Sequence, residues 1–155
     1  MRSRRSAARR AATAPETASG VVGILIISHG AFGEALIRAA GHMLGKPLQG
    51  VYQLKVTAQD QPEALLVRAR ELIGRLDEGQ GVLIMADMFG ATPGNITARL
   101  LAAGKVEGIS GANLPMLVRA LTYRESSLAV VLDKAMSGGR DGVVDMNADC
   151  CRGAG

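Results

Sequence analysis

Aromatic residues are scarce in this chain: of 155 residues, two are Phe, two are Tyr and none is Trp. Stacking platforms for single-stranded nucleic acid draw on several aromatics, so that mode of binding is not expected. Cysteine is equally rare, with Cys150 and Cys151 adjacent near the end of the sequence. Neighbouring cysteines seldom bridge each other, and two thiols do not make a metal site. Neither a disulfide framework nor a bound metal is expected, which suits a reducing, cytoplasmic setting. No apolar run approaches the ~18 residues of a membrane span, so direct membrane insertion is not expected either.

A basic excess is also missing from the body of the chain. The formal net charge is +4. It resides in residues 1–20, where Arg2, Arg4, Arg5, Arg9 and Arg10 face Glu16 alone, while the remaining 13 basic and 13 acidic side chains cancel. A nucleic-acid role would have to rest on that head, and none is expected of the body. The head is rich in Arg, Ala and Ser and lacks the apolar stretch of a secretory signal, so it reads as a disordered basic extension. The rest of the chain is long enough for one domain with a substantial core, and apolar residues make up 48% of the whole chain. The expected division is a head at 1–20, a folded domain at 21–147 and a flexible tail at 148–155.

Strand and helix signals alternate from residue 21 onward. Residues 22–27 are an unbroken apolar, β-branched run that stops at Ser28, His29 and Gly30, as a buried central strand would. Leu36, Ala39, Met43 and Leu44 then follow helical spacing up to Gly45 and Pro47. Residues 51–56 alternate like a strand with one exposed face. Asp60 and Glu63 outline a capping box for a helix through Leu65, Ala69, Leu72, Ile73 and Leu76. Residues 82–86 form a second fully apolar strand, followed by a loop to Thr92 and Pro93, read as a helix cap and a first-turn proline. Residues 106–110 are a weaker strand, and Asn113, Leu114 and Pro115 repeat the cap-and-proline pattern. A last helix carries Leu128, Val131, Leu132 and Ala135 and is expected to end at Gly138 and Gly139, with a short final strand at 143–146. The expected fold is a three-layer α/β sandwich, its central sheet mainly parallel with a short C-terminal edge strand.

In such a fold the turns after the first, third and fourth strands open on one edge of the sheet, where ligands bind. They carry Ser28, His29 and Gly30, the segment from Asp87 to Asn95, and the segment from Gly111 to Asn113. A neutral imidazole is a good nucleophile toward phosphorus when one nitrogen is free and the other is held by a carboxylate. Asp87 is placed to be that carboxylate. The Thr92 helix start offers unpaired N–H groups to an anion, and Gly30 and Gly90 let backbone approach it. His42 sits within a helical pattern and reads as inert. Rival sites lack their signatures: there is no Walker A, G-x-S-x-G or G-x-G-x-x-G motif, and no Arg precedes His29 as in the phosphoglycerate-mutase class.

Three segments together resemble the IIA domain of the mannose family of the bacterial phosphotransferase system: residues 23–30 (GILIISHG), 81–93 (GVLIMADMFGATP) with Asn95, and 111–117 (GANLPML). Residues 138–142 resemble that family's closing turn, and the likeness spans about 21–147. The resemblance implies a phosphotransferase that works through a phosphohistidine. It would accept a phosphoryl group from the phosphocarrier HPr on His29 and pass it to a IIB component, without cofactor or metal. Asp87 would orient the histidine, Thr92 would contact the phosphoryl group, and Gly30, Gly90, Ala91 and Asn113 would line its pocket. The family fold forms a homodimer whose C-terminal strand, here 143–146, can cross to the partner. No IIB domain is expected on this chain, and the basic head and paired cysteines fall outside the family pattern. A stand-alone regulatory phosphorelay protein, controlling a partner through its phosphorylation state, and the phosphoryl-donor subunit of dihydroxyacetone kinase therefore stand as alternatives. A mononucleotide binder using the same edge is a third.

Overall fold

The structure is a computed structural model and describes residues 20–150. The basic head at 1–19 and the tail from Cys151 lie outside the described residues. Four strands, β1 (Gly23–His29), β2 (Val51–Val56), β3 (Val82–Ala86) and β4 (Val106–Ser110), form one sheet in the order β2-β1-β3-β4, with every pairing parallel. Parallel neighbours need crossover helices, and these cover both faces of the sheet. Helices α1 (Phe32–Leu44), α4 (Leu114–Thr122) and α5 (Leu128–Asp141) pack on one face. Helices α2 (Pro62–Leu76) and α3 (Thr92–Ala98) pack on the other.

This explains the unbroken apolar runs. In β1, Ile24 and Ile26 enter the core under α1, α4 and α5, while Leu25 and Ile27 enter the core under α2 and α3. A strand buried on both sides has no polar phase. The outer strand β2 does: Tyr52 and Lys55 are exposed between buried Val51, Leu54 and Val56. At the amino edge, the half-buried Arg124 donates to the carbonyls of Val22, Gln49 and Gly50, tying the α4–α5 turn to the entries of β1 and β2.

Four local expectations are corrected. Asp60 does not cap α2; its carboxylate accepts from the N–H and hydroxyl of Thr57 at 2.7 and 2.9 Å, closing the turn after β2. The helix opens on Pro62, which has no N–H to cap, and Glu63 pairs outward with Arg99 at 2.9 Å. Thr92 is the first residue of α3 rather than its cap, which is Ala91, and Pro93 follows as the second. Gly138 and Gly139 do not end α5 but lie buried within it. A Cβ at Gly138 would stand 2.6 Å from Arg119 Cβ, and one at Gly139 2.8 Å from Met116 Cε. These glycines let α5 lie close against α4, so here the missing side chain serves packing rather than a turn.

The fourth correction is the final strand. Residues 143–145 are irregular, Val143 is 81% exposed, and Met146 opens a short helix, α6 (Met146–Cys150). That helix runs across the boundary expected at 147–148. A strand needs a neighbour to take its N–H and C=O groups, and within one chain this segment reaches neither edge of the sheet.

Candidate functional site

The site forms where three loops leave the carboxyl edge. Ile27 is level with Ala86 across β1 and β3, and Ala86 with Ser110 across β3 and β4. His29, Asp87 and the 111–113 loop therefore emerge side by side, and the Ala112 N–H donates to the Ala86 carbonyl at 3.0 Å.

His29 and Asp87 are in direct contact. Asp87 Oδ2 lies 2.7 Å from His29 Nδ1 and accepts from the His29 backbone N–H at 2.9 Å. Its Oδ1 accepts from the Met88 N–H at 2.8 Å. Burial pushes the Asp87 carboxyl up, but the N–H of His29, its imidazole and the N–H of Met88 together hold it below the ordinary carboxylate value. An ionised carboxylate only accepts, so in the neutral ring Nδ1 carries the hydrogen and Nε2 carries the lone pair. The histidine side chain is 55% exposed against 12% for the aspartate. Geometry thus holds one nitrogen and leaves the other without a hydrogen-bond partner among the described residues, on a side chain more than half exposed.

The remaining expected residues divide into two groups. Thr92 is exposed, and its hydroxyl has no hydrogen-bond partner among the described residues. No N–H of Gly90, Ala91 or Thr92 is used by another group there. Gly90 takes the left-handed backbone conformation at φ +80°, and a Cβ at Gly94 would meet the Met88 carbonyl at 2.9 Å, so this loop folds tightly onto the start of α3. Because α3 has only seven residues, its start offers these N–H groups more than a long helix dipole.

Gly30 and Asn113 are otherwise engaged. The Gly30 N–H donates to the Val56 carbonyl at 3.1 Å. Asn113 caps α4 by accepting from the Met116 N–H at 2.9 Å, and its amide donates to the Gly139 carbonyl at 3.2 Å. Both hold the loops in place rather than offering a free donor. His42 lies exposed in the last turn of α1. Ser28, on the first of the three loops but given no role by the sequence, is buried directly behind His29. Its available signal was the start of α1, where no Ser, Thr, Asp or Asn stands at the cap position, Ala31. Among the described residues no cluster of three His, Cys, Asp or Glu could hold a metal ion, and no helix is long and apolar enough to cross a membrane. A cleft of about 730 Å³ opens at the opposite edge, beside Lys46, Glu78, Arg124 and Glu125; its charges cancel and neither His29, Asp87, Thr92 nor Asn113 lines it.

Fold and site together define a parallel α/β domain with a carboxylate-held imidazole at the carboxyl edge of its sheet. The family profile described as PTS system fructose IIA component matches residues 23–136. The chain belongs to this family, the IIA components of the mannose and fructose type in the phosphotransferase system. It is 30% identical over 130 residues to the PTS system mannose-specific EIIAB component of Escherichia coli (strain K12), covering 82% of this chain and 40% of that protein. It is 26% identical over 106 residues to the PTS system fructose-specific EIIA component of Bacillus subtilis (strain 168), covering 68% and 72%. The chain therefore spans about two fifths of the mannose-specific relative. Among solved structures, the PTS IIA protein associated with the fucose utilization operon from Streptococcus pneumoniae superimposes with a TM-score of 0.74 at 23% identity, covering 86% of this chain and 98% of that one. The mannose/sorbose specific IIA subunit from Enterococcus faecalis gives 0.71 at 19%, covering 81% and 95%. At these identities the likeness establishes the fold.

Proposed function

We propose that this protein is a phosphoryl carrier in which His29 Nε2 accepts a phosphoryl group from HPr and yields it to a IIB component. The observation that carries this reading is the 2.7 Å contact between His29 Nδ1 and Asp87 Oδ2, which leaves Nε2 as the free, exposed nucleophile. In the transfer, the Nε2 lone pair forms the N–P bond as the donor's own N–P bond breaks, and the electrons of that bond return to the donor's ring. The imidazole of His29 gains positive charge as this happens, and the Asp87 carboxylate beside Nδ1 offsets it. The free N–H groups of Gly90, Ala91 and Thr92, and the Thr92 hydroxyl, are the donors available for the phosphoryl oxygens. Reversal toward a IIB acceptor uses the same parts.

The test is incubation with phosphoenolpyruvate, enzyme I and HPr. The expected product is an acid-labile adduct with the phosphorus NMR signature of Nε2-phosphohistidine. An adduct at Nδ1, or none, contradicts the reading. Adding IIB components then separates the two outputs: transfer to one of them supports a transport chain, and retention supports the regulatory alternative.

We also propose a homodimer in which residues 143–146 of one chain add to the free edge of β4 in the other. That edge runs beside an apolar groove of about 330 Å³ lined by Phe89, Leu101, Ile109 and Met136. Val143, Val144 and Met146 are exposed and apolar, the composition such a groove would bury. Light scattering after size exclusion is expected to give a dimer for the native chain and a monomer for Val143→Asp/Val144→Asp; a monomeric native chain, or a dimeric variant, rejects this pairing.

A further inference from the structure

We infer that Ser28 is a positioning residue for the histidine: its buried hydroxyl locks the turn that presents Nε2. The first turn of α1 needs acceptors for its free N–H groups, and the cap residue Ala31 supplies no side-chain bond. Ser28 Oγ takes that place from the strand side, accepting from the Gly33 N–H at 2.9 Å. A bond from residue 28 to residue 33 spans the His29-Gly30-Ala31-Phe32 turn.

Two further bonds hold the same turn. The Gly30 N–H donates to the Val56 carbonyl at 3.1 Å, and the His29 N–H donates to Asp87 at 2.9 Å. The histidine is therefore anchored before, at and after its own position. Ser28 provides the only one of these three anchors that is wholly shielded from solvent, with no exposed area at all.

The surroundings are built for a hydroxyl. Gly33 is buried, and a Cβ there would stand 2.8 Å from Ser28 Oγ and 3.1 Å from Gln53 Oε1, so only glycine lets the N–H come this close. Gln53 Oε1 is buried and has no hydrogen-bond partner among the described residues. A hydroxyl that accepts from Gly33 still has its hydrogen to give, and the Gln53 oxygen is an acceptor without a donor on the same side of β1. Alanine at 28 would remove the acceptor that the Gly33 N–H now has, in a pocket where the Gln53 oxygen already lacks a donor.

The consequence is kinetic. Phosphoryl transfer by this site rests on holding Nε2 in line with the donor phosphorus, and small misplacements of reacting atoms are costly. Ser28 would act through the angle of the His29 turn without touching the phosphoryl group. This inference rests on the reading of His29 as the phosphoryl acceptor.

The experiment compares native protein with Ser28→Ala, Ser28→Cys and Ser28→Thr. Single-turnover uptake from phosphorylated HPr is measured together with nitrogen NMR of the His29 ring. In Ser28→Ala the transfer rate is expected to fall by about tenfold to a hundredfold, with KM for the donor unchanged. The His29 ring is expected to lose its fixed Nδ1–H tautomer in the same variant. Ser28→Cys, close in size but a weak acceptor, falls between, and Ser28→Thr restores both readings. If Ser28→Ala does not fold, the Cys and Thr variants carry the comparison. A folded Ser28→Ala or Ser28→Cys protein with native rate and native tautomer overturns the inference, as does a rate that tracks only the loss of stability. The tautomer readout needs no phosphoryl donor, so failure of native protein to accept phosphate is seen separately from failure of Ser28 to position the ring.

Discussion

His29→Ala is expected to take up no phosphoryl group above background, a fall on the order of 10³-fold or more, as removal of a nucleophile produces. The argument is one of supply. Only two histidines exist in the chain, and among the described residues only His29 stands against a carboxylate. His42 sits exposed at the end of α1, with no contact among the described residues to a carboxylate that would fix a tautomer and stabilise a phosphorylated ring. Folding should survive the change, because the His29 side chain is more than half exposed and its removal opens no core cavity. Circular dichroism and urea melts would verify this, and quantitative labelling from phosphorylated HPr would measure the loss. Labelling of His29→Ala at the native level would place the chemistry elsewhere and end the phosphoryl-carrier reading.

Asp87→Asn separates orientation from charge. The amide keeps the shape, and its oxygen can still accept from the His29 N–H and Nδ1–H, but the acceptor for the Met88 N–H and the negative charge that offsets the developing imidazolium are gone. By analogy with carboxylates that orient a catalytic histidine elsewhere, transfer should slow by roughly 10² to 10⁴-fold. The same substitution makes a pH prediction. The Asp87 carboxyl lies below its ordinary value of 3.8 in the folded protein, despite the burial that opposes this. A depressed carboxylate stabilises the fold fully above its unfolded value, and that contribution is lost as pH falls through the lower folded one. The native protein should therefore be more stable than Asp87→Asn at pH 7, and the gap should narrow on acidification below about pH 4. Taking the difference between the two proteins removes the contribution of Asp60, which is also depressed, chiefly by its bond from the Thr57 N–H. Urea melts at several pH values measure the gap. A difference that stays constant down to about pH 2.5 would mean that the pair contributes through something other than the carboxylate charge.

Much of this site is legible in the sequence because it depends on strand ends. An apolar run that stops at Ser-His-Gly and another that stops before Asp87 locate two carboxyl ends of a parallel sheet, and such ends lie on one edge. Their adjacency follows from the strand order β2-β1-β3-β4, which puts β1 beside β3. The order itself is not encoded in any local run. The same holds for the individual hydrogen bonds. Nothing in the neighbourhood of Gly30 announces that its N–H is taken by Val56, a residue of another strand. Asn113 is legible as a cap, but its amide is also bound to Gly139, 26 residues on.

Glycine misleads in α5 for a related reason. Local chemistry makes a Gly-Gly pair a helix stop, yet the close approach of α4 leaves a side chain at 138 no room beside Arg119 and crowds one at 139 against Met116. The final strand fails differently: residues 143–146 have a strand's composition, but a strand is a pairing, and one chain offers this segment no partner.

By itself, then, the sequence determined the alternating α/β plan, the buried central strands, the family and the histidine around which the site is built. These depend on periodicity and on residues next to one another, which are local properties of a chain. Only the tertiary structure decided that Asp87 grips Nδ1 and frees Nε2, that Gly30 and Asn113 are already engaged, and that Ser28 secures the turn from beneath. Each of these is a contact between groups whose separation is set by how whole elements pack, and packing is a property of the folded molecule.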